Sequence, residues 1–248
     1  MSRKVKEFYE RRVEFESGKR GKRYVRGENK KLKTLLRMLR NESCKVVLEL
    51  GCGRGSYLKS ISELLNAEPV GIDISKNVLK SSHGFSRILC DIEVGIPFKD
   101  ETFDLVLLLD VIEHLFDTDR LLFEVKRVLK PGGIVVITTP NLASWYNRLF
   151  LLIGWQPFWT EVSTKFVIGN PLRERRAKCG GIMPSGHLRL FTPLALRRFV
   201  EMCGFSVEEV RGYPPNENFG ILFSILEGMS RITPNLASFI ALKARKIL

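Results

Sequence analysis

Glu49-Leu50-Gly51-Cys52-Gly53-Arg54-Gly55 follows the apolar run Lys45-Val46-Val47-Leu48 and precedes Leu58, Ile61, Leu64 and Leu65 at helical spacing. A buried strand therefore enters a glycine turn and leaves it as a helix. Glycines let the backbone turn tightly and let a ligand approach the main chain, and the helix start adds unpaired N–H groups. Asp73 ends the next strand-like run, Val70-Gly71-Ile72-Asp73-Ile74, 18 residues after Gly55. An acidic side chain there can accept hydrogen bonds from both ribose hydroxyls of an adenosine-containing cofactor. The G-x-G-x-G spacing departs from the G-x-G-x-x-G of dinucleotide binding, and Glu49 stands two residues ahead of the first glycine. Both details count against a nicotinamide dehydrogenase.

Strand and helix alternate on either side of this turn. Leu32, Leu35, Leu36 and Leu39 predict a helix before it. After it, strands are expected at 70–74, at 87–91, over the apolar run 103–109 and at 134–138. Ser75 is a candidate N-cap, and Leu121, Leu122, Val125, Val128 and Leu129 form a helical stripe that stops at Lys130-Pro131-Gly132-Gly133. This alternation over 45–139 argues for a doubly wound parallel sheet. Residues 140–191 break the rhythm and hold all three tryptophans, Trp145, Trp155 and Trp159. Thr192-Pro193 then restarts a helix with an apolar face of Leu196, Phe199, Val200 and Cys203, ended by Gly204. A strand at 205–210, a very apolar helix at 219–229 and a last strand at 238–246, paired antiparallel, complete the reading. Thr-Pro-Asn-Leu-Ala-Ser occurs at 139–144 and again at 233–238. The flanks differ, so this reads as coincident turn chemistry.

Four further motifs follow in order. They are Gly71-Ile72-Asp73-Ile74-Ser75; Cys90-Asp91-Ile92-Glu93 with Ile96-Pro97-Phe98; Phe103-Asp104-Leu105-Val106 with Asp110-Val111-Ile112-Glu113-His114-Leu115; and Leu129-Lys130-Pro131-Gly132-Gly133. With the glycine turn they resemble the class I S-adenosylmethionine-dependent methyltransferases, in the type 11/12 branch that includes quinone-biosynthesis O-methyltransferases. The resemblance implies an α/β, Rossmann-like, doubly wound, mostly parallel seven-stranded sheet, with helices on both faces and an antiparallel last strand. It implies S-adenosyl-L-methionine as cofactor and S-adenosyl-L-homocysteine as product. Glu49, Gly51, Cys52, Gly53 and Gly55 would hold the methionine part. Asp73 would bind the ribose with Ile74 against the adenine, Asp91 would meet the adenine amino group with Ile92 on the ring, and Leu109 would contact the methionine amine through its backbone.

The candidate catalytic residues come from the three histidines. His114 follows Glu113 at the mouth of the fourth strand, where the resemblance puts the acceptor, and a similar Glu-His pair lies near the acceptor in the quinone-precursor branch. His187 lies in Gly186-His187-Leu188-Arg189-Leu190-Phe191-Thr192, a segment similar to ones that flank acceptor pockets in that branch. Either could be a general base or a structural residue. His83 reads as an exposed loop residue and Cys52 as a small apolar filler. Trp145, Tyr146, Trp155, Phe158 and Trp159 would serve as an acceptor lid, a second small core, or both.

The 248 residues carry a formal charge of +13. Residues 1–40 hold 15 Lys/Arg against 5 Asp/Glu, and Arg173, Arg175, Arg176 and Lys178 form a second cluster. Such charge suits anionic partners or a solvated face. The expected organisation is a basic arm and helix at 1–44 and a methyltransferase domain at 45–248, with the Trp-rich insertion at 140–191. The five scattered cysteines form no C-x-x-C pair, so no metal is expected. Without a signal peptide or an apolar span, the expected location is cytoplasmic, with peripheral membrane contact open. The expected acceptor is a small-molecule or lipid-linked metabolite, methylated at oxygen. RNA or protein methylation through the basic arm is the alternative, and a non-catalytic cofactor-binding scaffold is the remote one. Oligomeric state is not read.

Overall fold

The structure is a computed structural model that describes residues 29–216 and 233–247. The expected arm over 1–28 and the apolar helix over 219–229 lie outside the described residues. Helix α1 (Lys30–Leu39) leads into β1 (Val46–Leu50), α2 (Ser56–Leu65), β2 (Glu68–Asp73), α3 (Lys76–Lys80), β3 (Ser86–Leu89) and β4 (Phe103–Leu109). A 3₁₀ turn (Ile112–His114), α4 (Thr118–Val128), β5 (Leu129–Pro140), α5 (Trp145–Leu152), α6 (Pro171–Lys178) and α7 (Pro193–Met202) follow. The described chain ends with β6 (Phe205–Tyr213), a 3₁₀ turn (Pro234–Leu236) and β7 (Phe239–Lys246). Ser75, Asp117, Asn170 and Thr192 each accept a backbone N–H of the first turn of the helix they precede.

One seven-stranded sheet has the order β3-β2-β1-β4-β5-β7-β6. The first five strands are parallel, and β7 is antiparallel to both β5 and β6. This is the expected architecture. The alternation of side chains along each strand builds two cores. Leu48, Leu50, Val106, Leu108, Val135 and Ile137 face α4 and α7 through Leu121, Val125, Leu196 and Val200. Val47, Leu105, Leu107, Ile134 and Val136 face α1 and α2 through Leu35, Leu39, Leu58 and Ile61. Burying each such side chain contributes about 1.5–3 kcal/mol.

The boundaries differ from expectation in three places. Strand β3 stops at Leu89, leaving Cys90 and Asp91 in the following turn. Strand β6 runs on to Tyr213 because β7 offers it a partner along its whole length. Strand β5 begins at Leu129: Leu129 pairs with Phe103 and Ile134 with Leu105, so the Lys-Pro-Gly-Gly segment bulges from within the pairing. The two Thr-Pro-Asn-Leu-Ala-Ser copies lie side by side. Asn141, fully buried, donates to the carbonyls of Pro234, Asn235 and Ala237, and its N–H donates to the Ser238 carbonyl.

Arg127 on α4 pins the loop after β3. Its guanidinium donates to the carbonyls of Phe98 and Ile96 at 2.8 and 3.0 Å and to both carboxylate oxygens of Glu124, one of which also accepts the Ile96 N–H. The Arg127 hydrogen bond lowers the Glu124 pKa to about 2. A carboxylate depressed on folding contributes stability that is full above its ordinary value of 4.5 and is lost as pH falls toward 2. Arg127→Ala should lower stability by about 1–2 kcal/mol, since hydrogen bonds to charged groups are strong but this pair is partly exposed. Glu124→Gln should flatten that part of the acid unfolding curve. Denaturant titrations between pH 3 and 7 check both, and parallel wild-type and Glu124→Gln profiles would contradict the assignment.

Candidate active site

The strand order reverses between β1 and β4, and in open α/β sheets the crevice at such a reversal is where ligands bind. Gly51, Gly53 and Gly55 all have left-handed φ values, 69°, 54° and 74°. A Cβ on Gly51 would stand 2.6 Å from Val111, and one on Gly55 2.2 Å from the Phe85 ring. A Cβ on Gly53 would meet nothing within 4 Å. The turn is thus packed below and open above. Cys52 fills the underside: its Sγ would lie 2.7 Å from a Cβ on Gly71, and burial pushes its thiol far above the usual range. That makes it a packing residue and a poor nucleophile.

Asp73 closes β2 at the rim. Its carboxylate accepts the N–H groups of Gly53 and Ser75, each at 2.8 Å. Ile74 is half-buried beside it. In the turn after β3, Asp91 accepts the Glu93 N–H at 3.0 Å, and Ile92 packs against the core. Leu109 ends β4, buried. Glu49 is buried under the turn, and its Oε2 has no hydrogen-bond partner among the described residues. Burial pushes its carboxyl up to about 8, against the pull of Lys31. All ten cofactor-side candidates therefore sit in the turn itself or at the carboxyl ends of β1 to β4. An orphaned buried carboxylate, a backbone-oriented aspartate and open space over Gly53 fit a cofactor with an amino-acid end and an adenosine end. Glu49 and Leu109 would hold the first, Asp73, Ile74, Asp91 and Ile92 the second.

The two candidate catalytic histidines meet, with ring centroids 4.7 Å apart. His114 closes the 3₁₀ turn after β4, with its Nδ1 3.2 Å from the Gly186 carbonyl. The Nδ1 of His187 lies 2.9 Å from the Trp159 carbonyl. The Glu113 carbonyl accepts the N–H groups of Leu188 and Arg189, stitching the two segments together. The Glu113 side chain is fully buried and pushed up to about 8 by burial and by Asp110. His83 is exposed, as expected.

The insertion supplies its own core. Tyr146 packs on Trp145, Phe150 and Phe158, and Phe150 stacks on Trp155 and Phe158. Trp159 reaches out of that core, 5.8 Å from His187 and 5.7 Å from Phe239. It holds a left-handed φ of 73°, and Asp110 one of 58°. Non-glycine residues in that region carry strain, and such strain gathers at functional sites.

Lys31 and Glu161 were not singled out from sequence. Lys31, on the face of α1 that carries Leu35, is buried and pairs with Asp110 at 2.8 Å. Burial disfavours the Asp110 carboxylate, but Lys31 outweighs it and holds the pKa below the usual value. Asp110 also accepts the Thr138 hydroxyl at 2.8 Å. Glu161 pairs with Arg173 at 3.0 Å, both side chains 7% exposed, and accepts the N–H groups of Ser185 and Gly186 at 2.7 Å. Lys31 and Arg173 thereby leave the basic surface to which their charge had assigned them. The i+4 spacing of Lys31 to Leu35 was a legible signal; Glu161 offered none.

Residues 48–137 match the family model described as a methyltransferase domain. The chain is 32% identical over 140 residues to a ubiquinone biosynthesis O-methyltransferase of Bradyrhizobium sp., covering 51% of this chain and 54% of that one. It is 30% identical over 164 residues to the corresponding enzyme of Rhodopseudomonas palustris, covering 61% and 64%. It is 32% identical over 102 residues to a norajmaline N-methyltransferase of Rauvolfia serpentina, covering 38% and 35%. The chain spans about half the length of the curated relatives it matches. A methyltransferase structure from Archaeoglobus fulgidus superposes with a TM-score of 0.56 at 21% identity, covering 89% of this chain and 95% of that one. With the glycine turn and Asp73 at the carboxyl edge of its sheet, the matched segment is an S-adenosylmethionine-dependent methyltransferase domain.

Proposed function

We propose that the protein transfers a methyl group from S-adenosylmethionine to an oxygen of a small-molecule or lipid-linked acceptor seated against His114, His187 and Trp159. The observation that carries this reading is the meeting of the two histidine rings, 4.7 Å apart, just beyond the carboxyl end of β4. When bound, the cofactor supplies a methyl group activated by a positive sulfur. The chain's residues align the acceptor and exclude water. Orientation alone contributes up to about 7–11 kcal/mol to such reactions. With Nδ1 of each histidine set against a carbonyl, the proton sits there and Nε2 carries the lone pair. Either ring can then accept the proton an acceptor hydroxyl gives up.

The O-methyltransferase relatives support oxygen as the attacked atom, and the N-methyltransferase relative keeps nitrogen in view. A lipid-linked acceptor gains support from the insertion's surface. Leu151, Leu152, Ile153, Val162, Phe166 and Ile168 are exposed there, and so are Lys165, Arg175 and Lys178 of the same insertion. Apolar side chains flanked by cations suit an anionic membrane surface. Among the described residues no helix is long and apolar enough to cross a membrane. The net charge of +13 favours RNA or protein as a second acceptor class.

Labelled methyl transfer into cell extract, partitioned into organic, small-aqueous, RNA and protein fractions, tests the acceptor. Label in the organic or small-aqueous fraction is expected, and nuclease-sensitive label would overturn the reading. Asp73→Ala should weaken S-adenosylhomocysteine binding more than tenfold in calorimetry; unchanged affinity would contradict the cofactor site. His187→Ala should lower turnover at least tenfold while leaving that affinity within about twofold, as loss of a positioned proton acceptor typically costs about 10²–10⁴-fold. Equal loss of both would remove His187 from the acceptor side.

A further inference from the structure

Helix α1 and the edge strand β6 bound a groove of about 540 Å³, none of whose lining residues belongs to the glycine turn or the histidine pair. Lys30, Lys33 and Arg37 line it from α1, and Arg211 lines it from β6. Two periodicities bring these cations together. Lys30, Lys33 and Arg37 recur at i, i+3 and i+7, one face of a helix. Alternate residues of a strand share a face, so Arg211 lies on the face of Tyr213, which packs with Met38 of α1. Among the described residues that line the groove, Glu209 is the only carboxylate, and it pairs with Arg211. The neighbouring surface is balanced differently: Lys243 and Arg245 of β7 are each paired with both Glu42 and Glu208. From this excess of cations in one groove we infer that it binds the phosphate or diphosphate group of a small molecule or lipid headgroup.

Cations gathered in a cleft repel one another, and the cleft focuses their field on an incoming anion. Arginine meets phosphate oxygens as a two-pronged donor and lysine as a point charge. The cationic face of α1 spans about 10 Å at the rise of a helix, enough for two linked phosphates. The volume lies within the roughly 300–1,000 Å³ of small-ligand sites. Lys30 ties one end of the groove to the chain after β6: its N–H donates to Asn216 Oδ1 at 2.9 Å and its Nζ to the Pro215 carbonyl at 3.3 Å. A carbonyl accepts that proton without cancelling the charge. A nucleic-acid backbone tracks along an open basic channel, whereas a groove tied off at one end suits a compact anion. The site is measured by binding alone, so its failure would leave the methyl-transfer reading standing.

Inorganic pyrophosphate titrated into the full chain in magnesium-free buffer should bind at a site whose affinity falls as salt is raised. Arg37→Gln and Arg211→Gln, both at exposed positions, should each weaken that binding by about fivefold or more, the scale of a partly exposed charged contact. Arg198→Gln, an exposed cation of α7 outside the groove, should leave it unchanged. Thermal melts of the free proteins check folding, and if one groove variant unfolds the other decides. A second arm uses phosphatidylcholine vesicles with and without phosphatidic acid. Pyrophosphate binding that the groove variants weaken upholds the site with a soluble ligand. Retention on phosphatidic-acid vesicles alone, lost in the groove variants, upholds it with a lipid headgroup. The proposal is overturned if neither probe binds, if the groove variants bind as the wild type does, or if Arg198→Gln weakens binding equally. An RNA oligonucleotide held through Arg37 and Arg211 where pyrophosphate is not would also overturn it.

Discussion

The reversal of strand order between β1 and β4 is the constraint on which the rest depends. Connections from the two strands must leave the sheet in opposite directions, which opens a crevice at their carboxyl ends. Everything the site uses is delivered to that edge. The glycine turn comes from β1, Asp73 from β2, Leu109 and the Glu113–His114 pair from β4, and the aromatic insertion from the end of β5. Strand β7, running antiparallel, brings its first residue Phe239 to the same edge, where it stacks on Tyr213 and meets Trp159. A parallel seventh strand would have started at the opposite edge and left that side open.

Buried charge holds the crevice in shape. Lys31 crosses from α1 to Asp110, fixing the left-handed turn between β4 and the Glu-His pair, while Thr138 of β5 holds the other carboxylate oxygen. Glu161 performs the same service for the insertion, joining α6 through Arg173 to the backbone ahead of His187. Breaking a buried pair by removing one partner costs about 3–5 kcal/mol, because the remaining charge is stranded. Such pairs therefore specify position strongly, whatever their net contribution to stability. The two histidines lie between these clamps. Their rings are oriented by carbonyls that belong to clamped or strained backbone and not to regular secondary structure.

The strand–helix alternation and the class of sheet were legible in the sequence because they rest on local pattern. Near-continuous apolar runs over 46–50 and 103–109, helical stripes between, and glycines before Ser56 each report backbone geometry within a few residues. Ser75 and Thr192 announced helix starts through capping chemistry and were correct. Strand ends were less legible. The Lys-Pro-Gly-Gly segment reads as a plain turn, and its place inside the β5 pairing depends on Phe103 of another strand.

The sequence by itself determined the class of fold, the glycine turn at the end of the first strand and the place of Asp73 at the end of the second. Those follow from repeating local chemistry, which neighbouring residues suffice to express. Only the tertiary structure decided that the two imidazoles meet, that Glu113 turns inward beside them, and that Lys31 and Arg173 are structural charges. Each of these depends on residues far apart in the chain being driven together by burial, and a buried ion pair leaves no periodic trace in the sequence. A lysine in a basic segment looks the same whether water or Asp110 receives its charge; the packing of α1 against the sheet makes the choice.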